Sequence, residues 1–103
     1  MNPEYAGAYY NRGNTYDSLE EYTKAVVDYD RAIEFNLKDA DVYYNRGCVY
    51  ARLGEYTKAV ADYDRAIELN PEYADAYKKR AEVYRLTGEI EKAMADEEVI
   101  SKL

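Results

Sequence analysis

A chain of 103 residues with 48% hydrophobic and 34% charged residues can form one hydrophobic core and is too short for two. Its formal charge of −7 repels nucleic-acid phosphates and anionic membranes, so we expect basic or neutral partners, no nucleic acid and no membrane. One cysteine, Cys48, without histidine excludes an internal disulfide and a zinc site. Without a long apolar run or a leader, a soluble, cytoplasmic protein is expected.

One segment recurs through the chain. The tract EYTKAVVDYDRAIEFN at 21–36 returns as EYTKAVADYDRAIELN at 55–70, and a diverged copy covers 89–103, each time 34 residues later. A fixed period of this length indicates one supersecondary unit stacked on copies of itself. We therefore expect one elongated domain over 1–103, with repeats at about 6–39, 40–73 and 74–103. Residues 1–5 resemble the end of a preceding repeat, because 2–6 is identical to 70–74.

Each half of a unit has the spacing of a helix. Tyr9, Gly13 and Tyr16 share one face of the first half, and this stripe recurs in the later copies. In the second half, tyrosine and alanine alternate at steps of three and four residues, which predicts a partner helix. Small residues between large rings let two helices approach closely, and large rings on one helix can fill gaps over small residues on the other. If Gly13 faces Ala25 and Tyr9 faces Tyr29, Arg12 comes within reach of Asp28.

Turn residues separate the predicted helices. Gly54 and Gly88 lie between the two halves of the second and third units, where a left-handed residue lets the chain reverse. The first unit has Glu20 there, which costs about 1 kcal/mol in that conformation, so we expect a looser or differently shaped first turn. Pro71 separates the second and third units, and Leu37 replaces it at the first junction.

These features together resemble the tetratricopeptide repeat family. The Tyr-x3-Gly-x2-Tyr run, Ala25 and Ala32, the glycine between helices and the closing Asn-Pro all match the pattern of this family over nearly the whole chain. The resemblance implies an all-α fold, an α-solenoid of three antiparallel helix hairpins (six helices) in a right-handed superhelix. It also implies that the first helix of each hairpin lines a concave groove, and that the protein is a scaffold for protein binding.

Arginine and aspartate recur at one spacing in all three units. Arg12 precedes Asp28 by 16 residues, and Arg46 and Arg80 precede Asp62 and Asp96 in the same way. We predict an interhelical ion pair, within a unit or to its neighbour, that is partly exposed and contributes about 0 to 1 kcal/mol. A ligand-binding row of arginines is the functional alternative.

Catalytic or metal-binding chemistry is not expected. Asp28 and Asp30 are two positions apart on a helix and point in different directions, so with Arg31 nearby they indicate a solvated, charge-mixed face. The chain offers no histidine, no nucleophile paired with a base and no phosphate-binding glycine loop. We predict a protein without enzymatic activity or cofactor.

The exposed face of each first helix supplies candidates for peptide binding. Asparagine can donate and accept hydrogen bonds with an extended peptide, and tyrosine can contribute a ring, although ordinary surface polarity and helix packing remain open alternatives. The candidate groove residues are Tyr10, Asn11, Asn14, Asp41, Tyr44, Asn45, Cys48, Arg52, Lys78, Lys79 and Glu82.

A clamp for an acidic C-terminal peptide, as in chaperone-binding members of the family, is not predicted. The resemblance maps its two asparagines to Asn14 and Asn45 and its three basic groups to Tyr10, Asp75 and Lys79. Only one of those three is cationic here, and Asp75 places a negative charge where the peptide carboxylate would lie.

The sequence of the last predicted helix indicates that its outer face is partly exposed. Candidates for self-association are the apolar residues Ile90, Met94, Ile100 and Leu103, through end-to-end stacking or exchange of a hairpin between copies.

Two functions therefore remain open. One is an interaction scaffold that holds a peptide or partner helix in its groove. The other is an excised or engineered (de novo) array without a dedicated ligand, which mainly folds and self-associates.

Overall fold

The computed structural model describes residues 3–35 and 37–103, with side chains from Tyr5 onward. These residues form no strand and six α-helices: α1 Pro3–Ser18, α2 Tyr22–Glu34, α3 Ala40–Arg52, α4 Tyr56–Leu69, α5 Ala74–Leu86 and α6 Ile90–Lys102. The all-α prediction is confirmed. Met1 and Asn2, from the segment that resembles a preceding repeat, and Asn36, the end of the first repeated tract, lie outside the described residues. None of the helices described has the length and apolarity needed to cross a membrane.

The first helix begins earlier than its equivalents. α1 starts at Pro3, whose restricted φ suits the first turn of a helix, whereas α3 and α5 start at Ala40 and Ala74. Tyr5, from the segment that resembles the end of a preceding repeat, is therefore an exposed residue of α1. Tyr73, at the equivalent position, does precede a helix.

All three hairpin turns have the same geometry. Glu20 has φ 60°, close to the 77° of Gly54 and the 81° of Gly88. In each turn the following N–H donates to a carbonyl five residues earlier, as in the 2.9 Å bond from Glu21 to Tyr16. The prediction of a differently shaped first turn is wrong, because this hydrogen bond and the packing of the hairpin hold Glu20 in the glycine conformation.

Glycine on each of the first two hairpins makes room for a buried tyrosine. A Cβ at Gly13 would lie 2.8 Å from Cε1 of Tyr29, and one at Gly47 would lie 2.9 Å from Cε1 of Tyr63. The ring of Tyr29 thus fills the gap over Gly13, as expected of a large ring over a small residue, whereas the pairing of Gly13 with Ala25 assumed for the ion pair is not the one observed. Tyr9 stacks on Phe35 instead, with ring centroids 5.5 Å apart.

The hydrophobic core runs through the hairpins and between them. Its first cluster joins Ala25, Tyr29 and Ala32 of α2 to Val42 and Val49 of α3, and its second joins α4 to Val83 of α5. Leu37 packs against the first cluster, which explains an apolar residue at the position of Pro71. The stack measures 42 × 25 × 18 Å, as expected for an elongated domain.

Candidate binding groove

Contacts between equivalent helices show which surface is concave. α1 contacts α3 and α3 contacts α5, whereas within the described ranges α2, α4 and α6 do not contact one another. Because the first helices lie closer together than the second helices, the stack curves toward them. The inner surface of α1, α3 and α5 is called the concave groove below.

Hydrogen bonds hold the polar side chains at the first end of the groove. Asn45 Nδ2 donates to the hydroxyl of Tyr10 at 2.9 Å and to Oδ1 of Asn14 at 3.2 Å. The hydroxyl of buried Tyr29 donates to the same Oδ1 at 2.6 Å. The Asn45 carbonyl makes no hydrogen bond to a described residue, so it is available to a peptide backbone.

An aromatic surface lies beside this network. Tyr44 packs against Tyr73 and Tyr63, with ring centroids 5.0 and 6.0 Å away, and the hydroxyl of Tyr73 donates to Oδ1 of Asp41 at 2.6 Å. Burial, followed by the hydrogen bond and charge of Asp41, raises the pKa of Tyr73 above its ordinary value. Burial likewise raises the pKa of Tyr10. These phenols therefore remain neutral hydrogen-bonding groups at physiological pH.

A pocket of about 180 Å³ opens in the groove between α3 and α5. Its lining combines apolar and charged residues: Cys48, Ala51, Arg52, Tyr63, Lys79, Glu82, Val83 and Leu86. The Tyr63 hydroxyl donates to Sγ of Cys48 at 3.5 Å, which positions the thiol beside the ring. The pocket thus combines apolar walls with the charged groups of Arg52, Lys79 and Glu82.

Most charged residues of the groove form ion pairs with one another. Arg52 donates to Asp17 at 2.7 Å and ties α3 to α1, and Lys79 lies 3.5 Å from Glu82. Lys78 is exposed and makes no ion pair with a described residue. The groove therefore keeps little unpaired charge.

The structure brings most candidate groove residues into two groups. Tyr10, Asn14 and Asn45 form the hydrogen-bonded network, and Cys48, Arg52, Lys79 and Glu82 surround the pocket, while Asn11 and Lys78 are exposed beside them. The sequence reasoning missed the other pocket residues: Ala51, Tyr63, Val83 and Leu86. For Tyr63 the sequence did contain a usable signal, because in both intact repeats a tyrosine follows the glycine of the first helix by the same 16 residues.

The predicted arginine–aspartate pairs are confirmed in all three hairpins. Arg46 donates from Nε and Nη2 to Asp62 at 2.8 and 2.7 Å and from Nη1 to Asp30 of the preceding hairpin at 2.8 Å. Its guanidinium also lies between the rings of Tyr43 and Tyr50, 5.6 and 5.8 Å from their centroids. Arg46 and Arg80 thus each bind one aspartate within their own unit and one across the junction.

The expectation of a solvated, charge-mixed face was wrong for Asp28 and Asp62 but holds in part for Asp30, whose side chain is 45% exposed. Asp28, Asp62 and Asp96 are buried, with exposed fractions of 1%, 4% and 4%. Burial raises the pKa of Asp62 above its ordinary value, against the hydrogen bond and charge of Arg46. Burial lowers the pKa of Arg46, but its bonds to Asp62 and Asp30 outweigh that effect and leave this pKa raised. Among the residues described, no group of three acidic, cysteine or histidine side chains could hold a metal ion.

The apolar residues of the terminal helix are accessible. Ile90, Met94 and Leu103 are 42%, 57% and 56% exposed, and Ile100 is half-buried. Their expected exposure is therefore confirmed, and their role in self-association stays a prediction.

Comparisons with known proteins agree on the fold. A tetratricopeptide repeat model matches residues 6–39 and 40–73, and a second model of the same repeat matches 62–95. The crystal structure of MamA is similar with a TM-score of 0.93 and 30% identity over 98% of this chain, which spans 59% of the MamA chain. No curated protein sequence matches the chain.

Two further solved structures are tetratricopeptide repeat domains. The second such domain of Spaghetti (RPAP3), bound to the HSP90 peptide SRMEEVD, has a TM-score of 0.92 and 27% identity over 98% of this chain and 94% of its own. The Arabidopsis OM64 domain has a TM-score of 0.89 and 26% identity over 93% and 79%. With both intact repeats matched by the family model and the hairpin geometry observed, the chain belongs to the tetratricopeptide repeat family.

Proposed function

We propose that the concave groove binds an extended segment or a helix of a partner protein. The observation that carries this proposal is the pocket between α3 and α5, whose wall residue Tyr63 packs against the ring of Tyr44, on the same groove as the half-buried Asn14 and Asn45. A peptide could place one side chain in the pocket and its backbone against the asparagines.

The size of the pocket favours a side chain over a small molecule. Its volume of about 180 Å³ is below the range of about 300–1,000 Å³ typical of small-molecule sites. Ala51, Val83 and the ring of Tyr63 suit an apolar side chain. We infer that the ligand carries an apolar anchor residue, which would supply most of its binding energy.

The charge of the protein further restricts the class of peptide that we expect to bind. A formal charge of −7 attracts a basic segment and repels an acidic one, which leaves basic or neutral segments as partners, and the paired cations of the groove do little to reverse that field. Peptide binding by the Spaghetti (RPAP3) domain supports a peptide as the class of ligand. Because Tyr10 and Asp75 stand at two positions where the clamp needs cations, weak or no binding of acidic C-terminal peptides stays our prediction.

The alternative function, an engineered array without a dedicated ligand, receives no support from the comparisons. Membership of a family of binding scaffolds favours the groove instead. We therefore direct the experiment at the groove.

Cys48 allows a direct test, because it lines the pocket and the chain has no second cysteine. Peptides enriched from an unbiased library on the monomeric protein should lose binding after a bulky maleimide is attached to Cys48. They should also protect this thiol from the reagent. Binding to the Cys48→Ser variant should be unaffected by the same treatment.

A second variant tests the apolar wall of the pocket. Leu86→Ser should weaken the selected peptides by at least about tenfold, as loss of an apolar anchor contact does. Leu69→Ser, at an exposed position outside the groove, is the matched control and should leave affinity unchanged. No enrichment, or peptides indifferent to both the maleimide and Leu86→Ser, would contradict the proposal.

A further inference from the structure

Each junction between hairpins repeats one ionic contact. Nη1 of Arg46 donates to Asp30 of the preceding hairpin, and Nη1 of Arg80 donates to Asp64, each at 2.8 Å. Arg12 stands at the equivalent position on α1, and its Nη1 makes no hydrogen bond to a described residue. At the opposite end, Glu98 stands at the position of Asp30 and Asp64, with its side chain 69% exposed and paired only with exposed Lys102 one turn further along α6, at 3.3 Å, among the residues described. The two ends thus present the two complementary halves of the internal contact.

The packing positions of the same junctions are exposed at both ends, with apolar side chains on α6 and smaller or more polar ones on α1. Ile90 and Met94 of α6 stand where Tyr22 and Val26 pack against the next hairpin in the first junction, yet both are exposed. On α1, exposed Ala8 stands at the position of Val42 and Ala76, which are fully buried inside the stack. Thr15, also exposed, stands at the position of buried Val49 and Val83.

We propose that the α6 face of one copy, formed by Ile90, Met94 and Glu98, docks on the α1 face of a second copy, formed by Ala8, Arg12 and Thr15. Docking in the register of the internal junctions places the Glu98 carboxylate on Nη1 of Arg12 and the side chain of Met94 near Ala8. The geometry is already used twice within the chain. Charge complementarity selects a second copy of this chain as the occupant.

This contact is heterologous, so it does not close on itself and leads to linear stacks. The interface is small and the copies carry −7 each, which makes the association weak. It uses neither the concave groove nor its pocket, so it is independent of the function proposed above.

Sedimentation equilibrium from about 10 µM to about 1 mM covers the range expected for such an interface. The weight-average mass should rise from 12.0 kDa toward multiples of that value as concentration increases. Met94→Lys should abolish the rise, whereas Ala95→Lys, the same added charge at an exposed neighbour on α6, should preserve it. Glu98→Lys should also abolish it, and Glu68→Lys on α4 is its matched control.

Mixing variants tests the direction of docking. Ala8→Lys disables only the α1 face and Met94→Lys disables only the α6 face, so each variant alone should be monomeric. Their equimolar mixture keeps one intact interface and should give a dimer of twice the monomer mass and nothing larger. Asn11→Lys, on α1 outside the face, should associate as the unmodified chain does.

Several outcomes would overturn the proposal. They are a constant monomer mass over the whole concentration range, an equal effect of Met94→Lys and Ala95→Lys, and a mixture that stays monomeric. A closed dimer that never grows further would indicate exchange of a hairpin instead. Circular dichroism of every variant establishes that the helices are intact before the masses are compared.

Discussion

At the scale of single residues, buried charge defines the register of the stack. Arg46 is 19% exposed and Asp62 is 5% exposed in their side chains, and the carboxylate accepts two hydrogen bonds from the guanidinium. Desolvation offsets much of the attraction between two buried charges, so such a pair adds little net stability. Losing one partner is costly, because the other remains buried and uncompensated.

Arg46→Leu is therefore expected to lower the free energy of unfolding by about 3–5 kcal/mol. Urea unfolding followed by circular dichroism measures this change. Arg65→Leu removes an exposed arginine that lies 3.8 Å from Glu68, and it should change stability by no more than about 0.5 kcal/mol. Stability equal to that of the unmodified chain, combined with lost peptide binding, would support the ligand-binding alternative for the arginines.

Backbone strain at Glu20 gives a second prediction at this scale. Glu20→Gly should raise the free energy of unfolding by about 1 kcal/mol, because glycine adopts φ 60° without a steric cost. Glu34→Gly, at the end of α2, should lower it, since glycine weakens a helix. Chemical denaturation measures the change in the free energy of unfolding for both variants, which should be positive for Glu20→Gly and negative for Glu34→Gly. A loss of stability in Glu20→Gly would show that the Glu20 side chain makes a compensating contact.

At the scale of helices, two residues that face each other across a hairpin change together from one repeat to the next. Gly13 and Gly47 lie under the rings of Tyr29 and Tyr63, whereas the third hairpin has Ala81 and, at the tyrosine position, Glu97. Glu97 turns to Arg85 and accepts two hydrogen bonds, at 3.0 and 2.6 Å. Without a buried ring there, a Cβ at Ala81 fits.

Gly47→Ala is expected to destabilise the protein despite the higher helix propensity of alanine. The new Cβ would lie 2.9 Å from Cε1 of the buried Tyr63 ring, and overpacking of this kind costs about 1–3 kcal/mol. Gly7→Ala on α1 has no atom within 4 Å of its new Cβ and should stabilise by about 1 kcal/mol. Thermal unfolding of the two variants should shift in opposite directions, and a stabilised Gly47→Ala would refute the close approach of the helices.

At the scale of the whole molecule, stability is the sum of hairpin and nearest-neighbour terms. α4 buries Ala59, Asp62, Tyr63 and Ala66, whereas α6 buries only Ala93 and Asp96. The middle hairpin also has a neighbour on each side. Opening of this chain should therefore begin at α6.

Amide hydrogen exchange tests this order. Amides of α6 should exchange fastest among the second helices, and those of α3 and α4 slowest, because local opening follows local burial. Mass spectrometry of peptic fragments resolves the helices, and dilute protein prevents stacking from protecting α6. Uniform protection across all six helices would show that the chain opens as one cooperative unit.

Much of the architecture followed from short-range features of the sequence. The 34-residue period, the helical spacing and the left-handed positions at Gly54 and Gly88 predicted six helices in three hairpins, and the recurrence of Arg12 with Asp28 predicted the ion pairs. Helix periodicity and turn conformation depend on residues close together in the chain, so they are readable from the sequence alone.

Facing pairs and burial were decided only by the tertiary structure. Gly13 meets Tyr29 and not Ala25, Asp28 is buried, and Tyr63 joins Leu86 in the pocket of the groove. Each of these depends on how far one helix is shifted and rotated against another, and residues from different hairpins must come together to form the pocket. Sequence by itself determined the repeat and the two turns at Gly54 and Gly88, and the packing of helices across the repeats decided which side chains line the groove.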